Sequence, residues 1–235
     1  MIVTDAVSFG KAIRARRKKL ATLSAEDAVA LIAALGDVPA DPLRLSVLLA
    51  LTCGLRLGEV CALRYEDIDF RAHTLAVSRA LKYTPGEGTF IAPPKTAAGD
   101  RVITLPPTLL RALQESQLSD KIDEDYYRDI WQGEPDGHYI LHDSLGRRLH
   151  HDTPSKWFRR FADEQGFPGV RFHDLRHAHA SFLVAAGIDV AAIAARMGHG
   201  DASITLRTYA HALAPRDQAA AATLDTLLQP SPDKP

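Results

Sequence analysis

The longest apolar run in the chain, Leu45 to Leu55, is bounded by Arg44 and Arg56 and interrupted only by Ser46, Thr52 and Gly54. A bilayer needs about 20 apolar residues, so a run of 11 cannot span one and predicts a buried helix. Other elements must then be arranged around it. The chain has 235 residues, 46% of them hydrophobic, which suits one large globular domain or two small ones. Met1 to Lys19 is polar and basic and does not resemble a signal peptide. Cys53 and Cys61 stand in apolar helical context and read as small hydrophobes in a reduced core rather than as a disulfide. The expected location is cytoplasmic.

Punctuation marks out the helices. Ser24 can cap a helix that carries Val29, Leu31, Ile32 and Leu35 and ends at Gly36. Asp41-Pro42 opens the next, which runs to about Thr52, and a third spans Leu57 to Leu63. Thr74–Ser78, Thr89–Ala92 and Arg101–Leu105 have strand character, and together they predict one small antiparallel sheet. Thr108 to about Ser119 is helical again, and residues 120–138 read as an acidic, irregular surface insertion. Tyr139–Leu141 reads as a short strand. Helices follow from Asp152-Thr153-Pro154, and over His173–Ala186, Val190–Met197, Ile204–Ala212 and Gln218–Leu228. The fold class is mainly α with a small antiparallel β-sheet, an α+β arrangement.

The net charge of −1 does not by itself suggest a nucleic-acid partner. Its distribution does more. Residues 115–136 hold 8 acids and 2 bases, so the rest of the chain is basic, and Lys11 to Lys19 alone carries six bases and no acid. Such an arm either follows phosphates or is simply solvated.

Phe172-His-Asp-Leu-Arg-His177 is the most informative segment. On a helix His173, Arg176 and His177 share a face. An arginine fork beside histidines suits a phosphate, though three solvated polar residues at a helix start would look the same. His173, His177 and His199 could instead hold zinc, but Asp174 stands where such sites use a glutamate, and Arg176 would set a positive charge beside the cation. Arg56, in Cys53-Gly-Leu-Arg-Leu-Gly-Glu59, is a charge amid apolar sequence and needs a partner. It is either a structural ion pair with Glu59 or an arginine held by Glu59 and aimed into a cleft. Lys95 follows the stiff Pro93-Pro94 pair. His199 lies in Arg196-Met-Gly-His-Gly200 and Tyr209 in Leu206-Arg-Thr-Tyr-Ala-His211. Each of these three would be ordinary alone.

Together these residues resemble the tyrosine recombinases, the phage integrase family. The likeness rests on Gly54-Leu55-Arg56 with Glu59, Lys95 between strands, His173-Asp-Leu-Arg176-His177, Gly198-His199 and Thr208-Tyr209, in the family's order from about Thr22 to Leu213. The resemblance implies the family's catalytic-domain fold over residues 23–213, preceded by a basic linker at 1–22 and followed by a C-terminal segment, 214–235, that docks on a neighbour or on its own domain. It implies a site-specific recombinase that cleaves and rejoins DNA through a 3′-phosphotyrosine link. Arg56 and Arg176 would grip the scissile phosphate and His199 would hydrogen-bond it. Tyr209 would attack, Lys95 would protonate the leaving oxygen and His173 would take the tyrosine's proton. No cofactor and no membrane are implied. The implied partners are a double-stranded recombination site and further copies of the chain, in a tetramer. Family members usually carry a separate DNA-clamping domain before the catalytic one. Only Met1 to Ala21 precede the pattern here, so the chain is expected to be a piece of a longer protein. A type IB topoisomerase, a non-cleaving DNA-binding module of this fold and a zinc hydrolase are the alternatives.

Overall fold

The computed structural model describes residues 23, 25–36, 38, 41–94, 96–201, 203 and 205. The basic arm, Lys95, Tyr209, the Ile204–Ala212 helix and the Gln218–Leu228 helix therefore lie outside the described residues. Seven helices and five strands are described: α1 (Ala25–Gly36), α2 (Pro42–Cys53), α3 (Leu57–Val60), β1 (Ile68–Asp69), β2 (Thr74–Val77), β3 (Ala80–Thr84), β4 (Gly88–Ala92), β5 (Arg101–Thr104), α4 (Pro107–Tyr126), α5 (Thr153–Glu164), α6 (Phe172–Ala185) and α7 (Val190–Met197).

The apolar run is the central helix. Asp41 caps α2, its carboxylate accepting the Arg44 N–H at 2.7 Å, and Pro42 occupies the first turn, where no N–H is needed. Leu45, Val47, Leu49, Ala50, Leu51 and Cys53 are all buried, so α2 is covered on nearly every side. It packs against α4, α5 and α6, and α6 in turn packs against α1, α5 and α7. Gly54 ends α2 in the left-handed region, φ 66°, which turns the chain sharply so that Arg56 comes to the start of α3.

The expected single sheet is two. β1, β2 and β5 form an antiparallel sheet, with Leu75 opposite Ile103 and Val77 opposite Arg101. β3 and β4 form a separate hairpin in the register Ala80 to Ala92. The reason lies in which faces are buried. β2 and β5 bury alternate residues against the core, whereas among the residues of β3 and β4 only Leu81 is buried. A hairpin with so little to bury has an alternation too weak to read in Ala-Leu-Lys-Tyr-Thr. Tyr139 makes an isolated bridge to Arg64 rather than belonging to a strand.

α4 runs seven residues beyond the expected end at Ser119, to Tyr126. Its first half buries Leu109, Leu110 and Leu113; its second half is largely solvated, with Leu118, Ile122 and Tyr126 exposed. No Gly or Pro interrupts Ser119 to Tyr126, and Asp120 anchors the extension, accepting from the Tyr65 hydroxyl at 2.5 Å and meeting His142 Nε2 at 3.1 Å. The acidic stretch is thus helix first and irregular only after Tyr127. No described helix is long and apolar enough to cross a membrane.

Candidate active site

The C-terminal end of α7 organises the site. A helix ends with carbonyls that lack intrahelical partners and carry the negative end of its dipole. At α7 three successive carbonyls each receive a guanidinium from a different part of the chain. Arg101 Nε donates to Arg196 at 2.7 Å, Arg176 Nη2 donates to Met197 at 2.6 Å, and Arg56 Nη2 donates to Gly198 at 3.2 Å. Arg196 itself donates to the carbonyls of Thr52 and Thr104, both at 3.1 Å, tying α7 to the ends of α2 and β5. Gly198 closes the helix at φ 67°. A Cβ there would lie 2.8 Å from Arg101 Nη1 and 2.9 Å from the Ala98 carbonyl, so the crowding as well as the backbone requires glycine.

Arg56 and Arg176 meet from opposite sides. Arg56 precedes α3, and Glu59 holds it by its backbone N–H at 2.9 Å and by Nη1 at 2.7 Å. Arg56 is thus ion-paired with Glu59, and its side chain is still 43% exposed. Arg176, on α6, is 3% exposed and donates to the carbonyls of Gly54 and Met197. Arg176 is the buried member of the pair and Arg56 the partly exposed one. Two guanidiniums, those of Arg56 and Arg101, meet the buried Glu59 carboxylate. Burial alone would raise the Glu59 pKa, but the hydrogen bonds and charge of Arg101, with those of Arg56, hold it below the ordinary carboxylate value.

His199 follows Gly198, and its Nδ1 lies 2.7 Å from Thr205 Oγ1. Burial, and then the charges of Arg176, Arg56, Arg101 and His177, pull its pKa down to about 4. It is an uncharged imidazole at neutral pH, standing in a field that favours an anion. His173 is exposed on α6 and packs edge-to-face on His177, ring centres 4.8 Å apart. Burial and the neighbouring positive groups lower the pKa of both, so both are neutral and able to accept a proton at pH 7. Arg56, Arg176 and His199 are thus brought together, with His173 on the same helix as Arg176. Lys95 and Tyr209 lie outside the described residues.

Among the described residues, the ligand atoms of His173, His177 and His199 do not converge as a metal site requires; the group that does is His150, His151 and Asp152, before α5. There Asp152 is already paired with His150 at 2.6 Å and Lys156 at 2.5 Å. Sequence reasoning missed Arg101 and Arg196. Arg101 had a signal: it lies in register with Ile103 and Leu105, on the inward face of β5, where a charge must find partners.

The phage integrase family model matches residues 21–216. The prophage phiRv2 integrase of Mycobacterium tuberculosis is 34% identical over 192 residues, covering 80% of this chain and 48% of that protein. A XerC-like tyrosine recombinase of Caldanaerobacter subterraneus is 27% identical over 188 residues, 77% of this chain and 48% of its own length. Among solved structures, the Tn1549 transposon integrase in complex with transposon right end DNA superposes with a TM-score of 0.69 at 25% identity, over 86% of this chain and 64% of that one. The chain spans about half the length of the relatives it matches. A family match over most of the chain, a shared fold and an arginine cluster at the end of α7 agree: this chain belongs to the phage integrase family.

Proposed function

We propose that this chain is the catalytic domain of a site-specific DNA recombinase that breaks and rejoins strands through a tyrosine link. The observation that carries this is the convergence of Arg56, Arg176 and His199 at the end of α7, a cationic cluster beside an uncharged imidazole. A phosphodiester resists attack because it is negative and its leaving alkoxide is poor. Arg56 and Arg176 bind the non-bridging oxygens with planar forks, which fix geometry better than lysine point charges. His199 donates a further hydrogen bond. Tyr209 attacks phosphorus, the bond to the 5′-oxygen breaks, His173 takes the phenolic proton and Lys95 supplies one to the departing oxygen. The product is a 3′-phosphotyrosine and a free 5′-hydroxyl. The link conserves the energy of the broken diester, so a 5′-hydroxyl from another strand reseals it without ATP. The partner is double-stranded DNA, in keeping with the complex of the Tn1549 integrase, and the working assembly is a tetramer on two duplexes. The 214–235 segment docks within that assembly.

The test is covalent capture. The chain is incubated with a nicked duplex library of randomised sequence, and adducts that survive denaturing detergent are sequenced. An adduct that forms with the native chain and disappears in Tyr209→Phe is the expected result. An adduct that persists in Tyr209→Phe rules out Tyr209 as nucleophile. No adduct with any sequence points to a module that binds without cutting.

A further inference from the structure

Arg101 belongs to none of the roles above, yet it is the most connected side chain beside the cleft. It is only 9% exposed. Its Nη2 donates to Glu59 Oε2 at 2.9 Å and its Nη1 to Glu59 Oε1 at 3.3 Å. Nη1 also donates to the Gly99 carbonyl at 3.0 Å, and Nε to the Arg196 carbonyl at 2.7 Å. Three segments are therefore joined by one planar group: α3 through Glu59, the connection between β4 and β5 through Gly99, and the end of α7 through Arg196. Gly99 is pressed against Pro94, where a Cβ would come within 2.4 Å of the Pro94 Cβ.

We propose that Arg101 is a positioning residue: through Glu59 and the carbonyls of Gly99 and Arg196 it holds Arg56 and the Gly198–His199 turn in the geometry that receives a phosphate. This deepens the phosphate-binding reading above and rests on it. The chain of contacts is short. Glu59 Oε1 takes Arg56 Nη1 as well as Arg101 Nη1, and Oε2 takes the Arg56 backbone N–H as well as Arg101 Nη2. Arg101 thus satisfies one side of the carboxylate, and Arg56 takes the other side while its Nη2 turns to Gly198. Without Arg101, Glu59 would be a buried carboxylate whose remaining attraction falls wholly on Arg56, and the Arg196 carbonyl would lose its donor. Four of the five Arg101 N–H groups are taken by Glu59, Gly99 and Arg196, so Arg101 acts through Arg56 and not on the phosphate itself. Lysine cannot substitute, since one ammonium cannot span a carboxylate and two carbonyls on different segments.

The test uses inorganic phosphate as probe and the His199 ring proton in NMR as reporter, so no DNA site is needed. Among the described residues, the charged and titratable groups that face His199 are Arg56, Arg101, Arg176 and His177. In the native chain phosphate should shift the His199 signal and raise its pKa. Arg101→Lys keeps the charge and removes the fork. It should weaken phosphate at least about tenfold, the scale of losing a group that orients a ligand-binding residue. In an Arg56→Lys background the same change should add less than about threefold, because coupled residues are not additive. Phosphate affinity in Arg101→Lys within about twofold of native, or penalties that simply multiply, would overturn the proposal. Glu59→Gln cuts the relay at its centre and must show the same loss; a folded Glu59→Gln with native affinity overturns the proposal even if Arg101→Lys does not fold. No response of His199 in the native chain would instead overturn the phosphate reading on which it rests.

Discussion

Gly198→Ala puts the organisation of the α7 terminus to a direct test. Alanine in the left-handed region costs about 1–2 kcal/mol, less the few tenths regained from a stiffer unfolded chain. The new methyl would stand 2.8 Å from Arg101 Nη1 and 2.9 Å from the Ala98 carbonyl. Arg101 can swing away, but the Ala98 carbonyl is backbone, so the turn must shift as well. Displacing Arg101 costs at least one hydrogen bond to a charged group, about 1.5–3 kcal/mol. The sum is roughly 2–4 kcal/mol, or a fall of roughly 5–15 °C in Tm for a domain of this size. Denaturant and thermal unfolding measure it, with Gly36→Ala as control, since no atom lies within 4 Å of a Cβ at Gly36. A loss below about 1 kcal/mol with the His199 NMR signal unmoved would refute the claim that Gly198 is required by the Arg101 packing.

Two further outcomes follow. His179 is buried on α6, its Nδ1 2.9 Å from the Leu51 carbonyl, and burial followed by the Arg196 charge lowers its pKa from 6.5 to about 4. A histidine with a depressed folded pKa binds more protons when unfolded, so stability should fall as pH drops from about 6.5 to 4, by on the order of 3 kcal/mol; a flat profile in urea melts over that window, or one unchanged in His179→Gln, would contradict it. Cys53 and Cys61 are buried thiols, the latter pushed by burial up to about 12, so a disulfide-exchange reagent at pH 8 should react with both only after unfolding; prompt labelling of the native chain would show the core to be wrong.

Legibility in the sequence followed the range of the interactions. α2 was legible because its apolar run, the Asp41-Pro42 start and the Gly54 stop are all local and agree. α7 has the expected bounds, Val190–Met197, because Gly198 is a local stop; the Asp189 cap at its start is seen in the structure. The pairing of β2 with β5 was not legible. It is decided by which strands cover the core, and the hairpin between them carries almost no burial pattern. Arg56, His173, Arg176 and His199 could be named as candidates from their residue types and order.

What the sequence determined by itself was therefore the inventory: the helices with strong caps, the phosphate-suited residue types and the order in which they come. Only the tertiary structure decided how those residues act on each other. The three carbonyls at the end of α7 are local, but the guanidiniums that meet them come from residues 56, 101 and 176, far apart along the chain. Charge, burial and hydrogen bonding there depend on distance in space. That is why the lowered pKa of His199, the sharing of Glu59 and the position of Arg101 emerge only once the chain is folded.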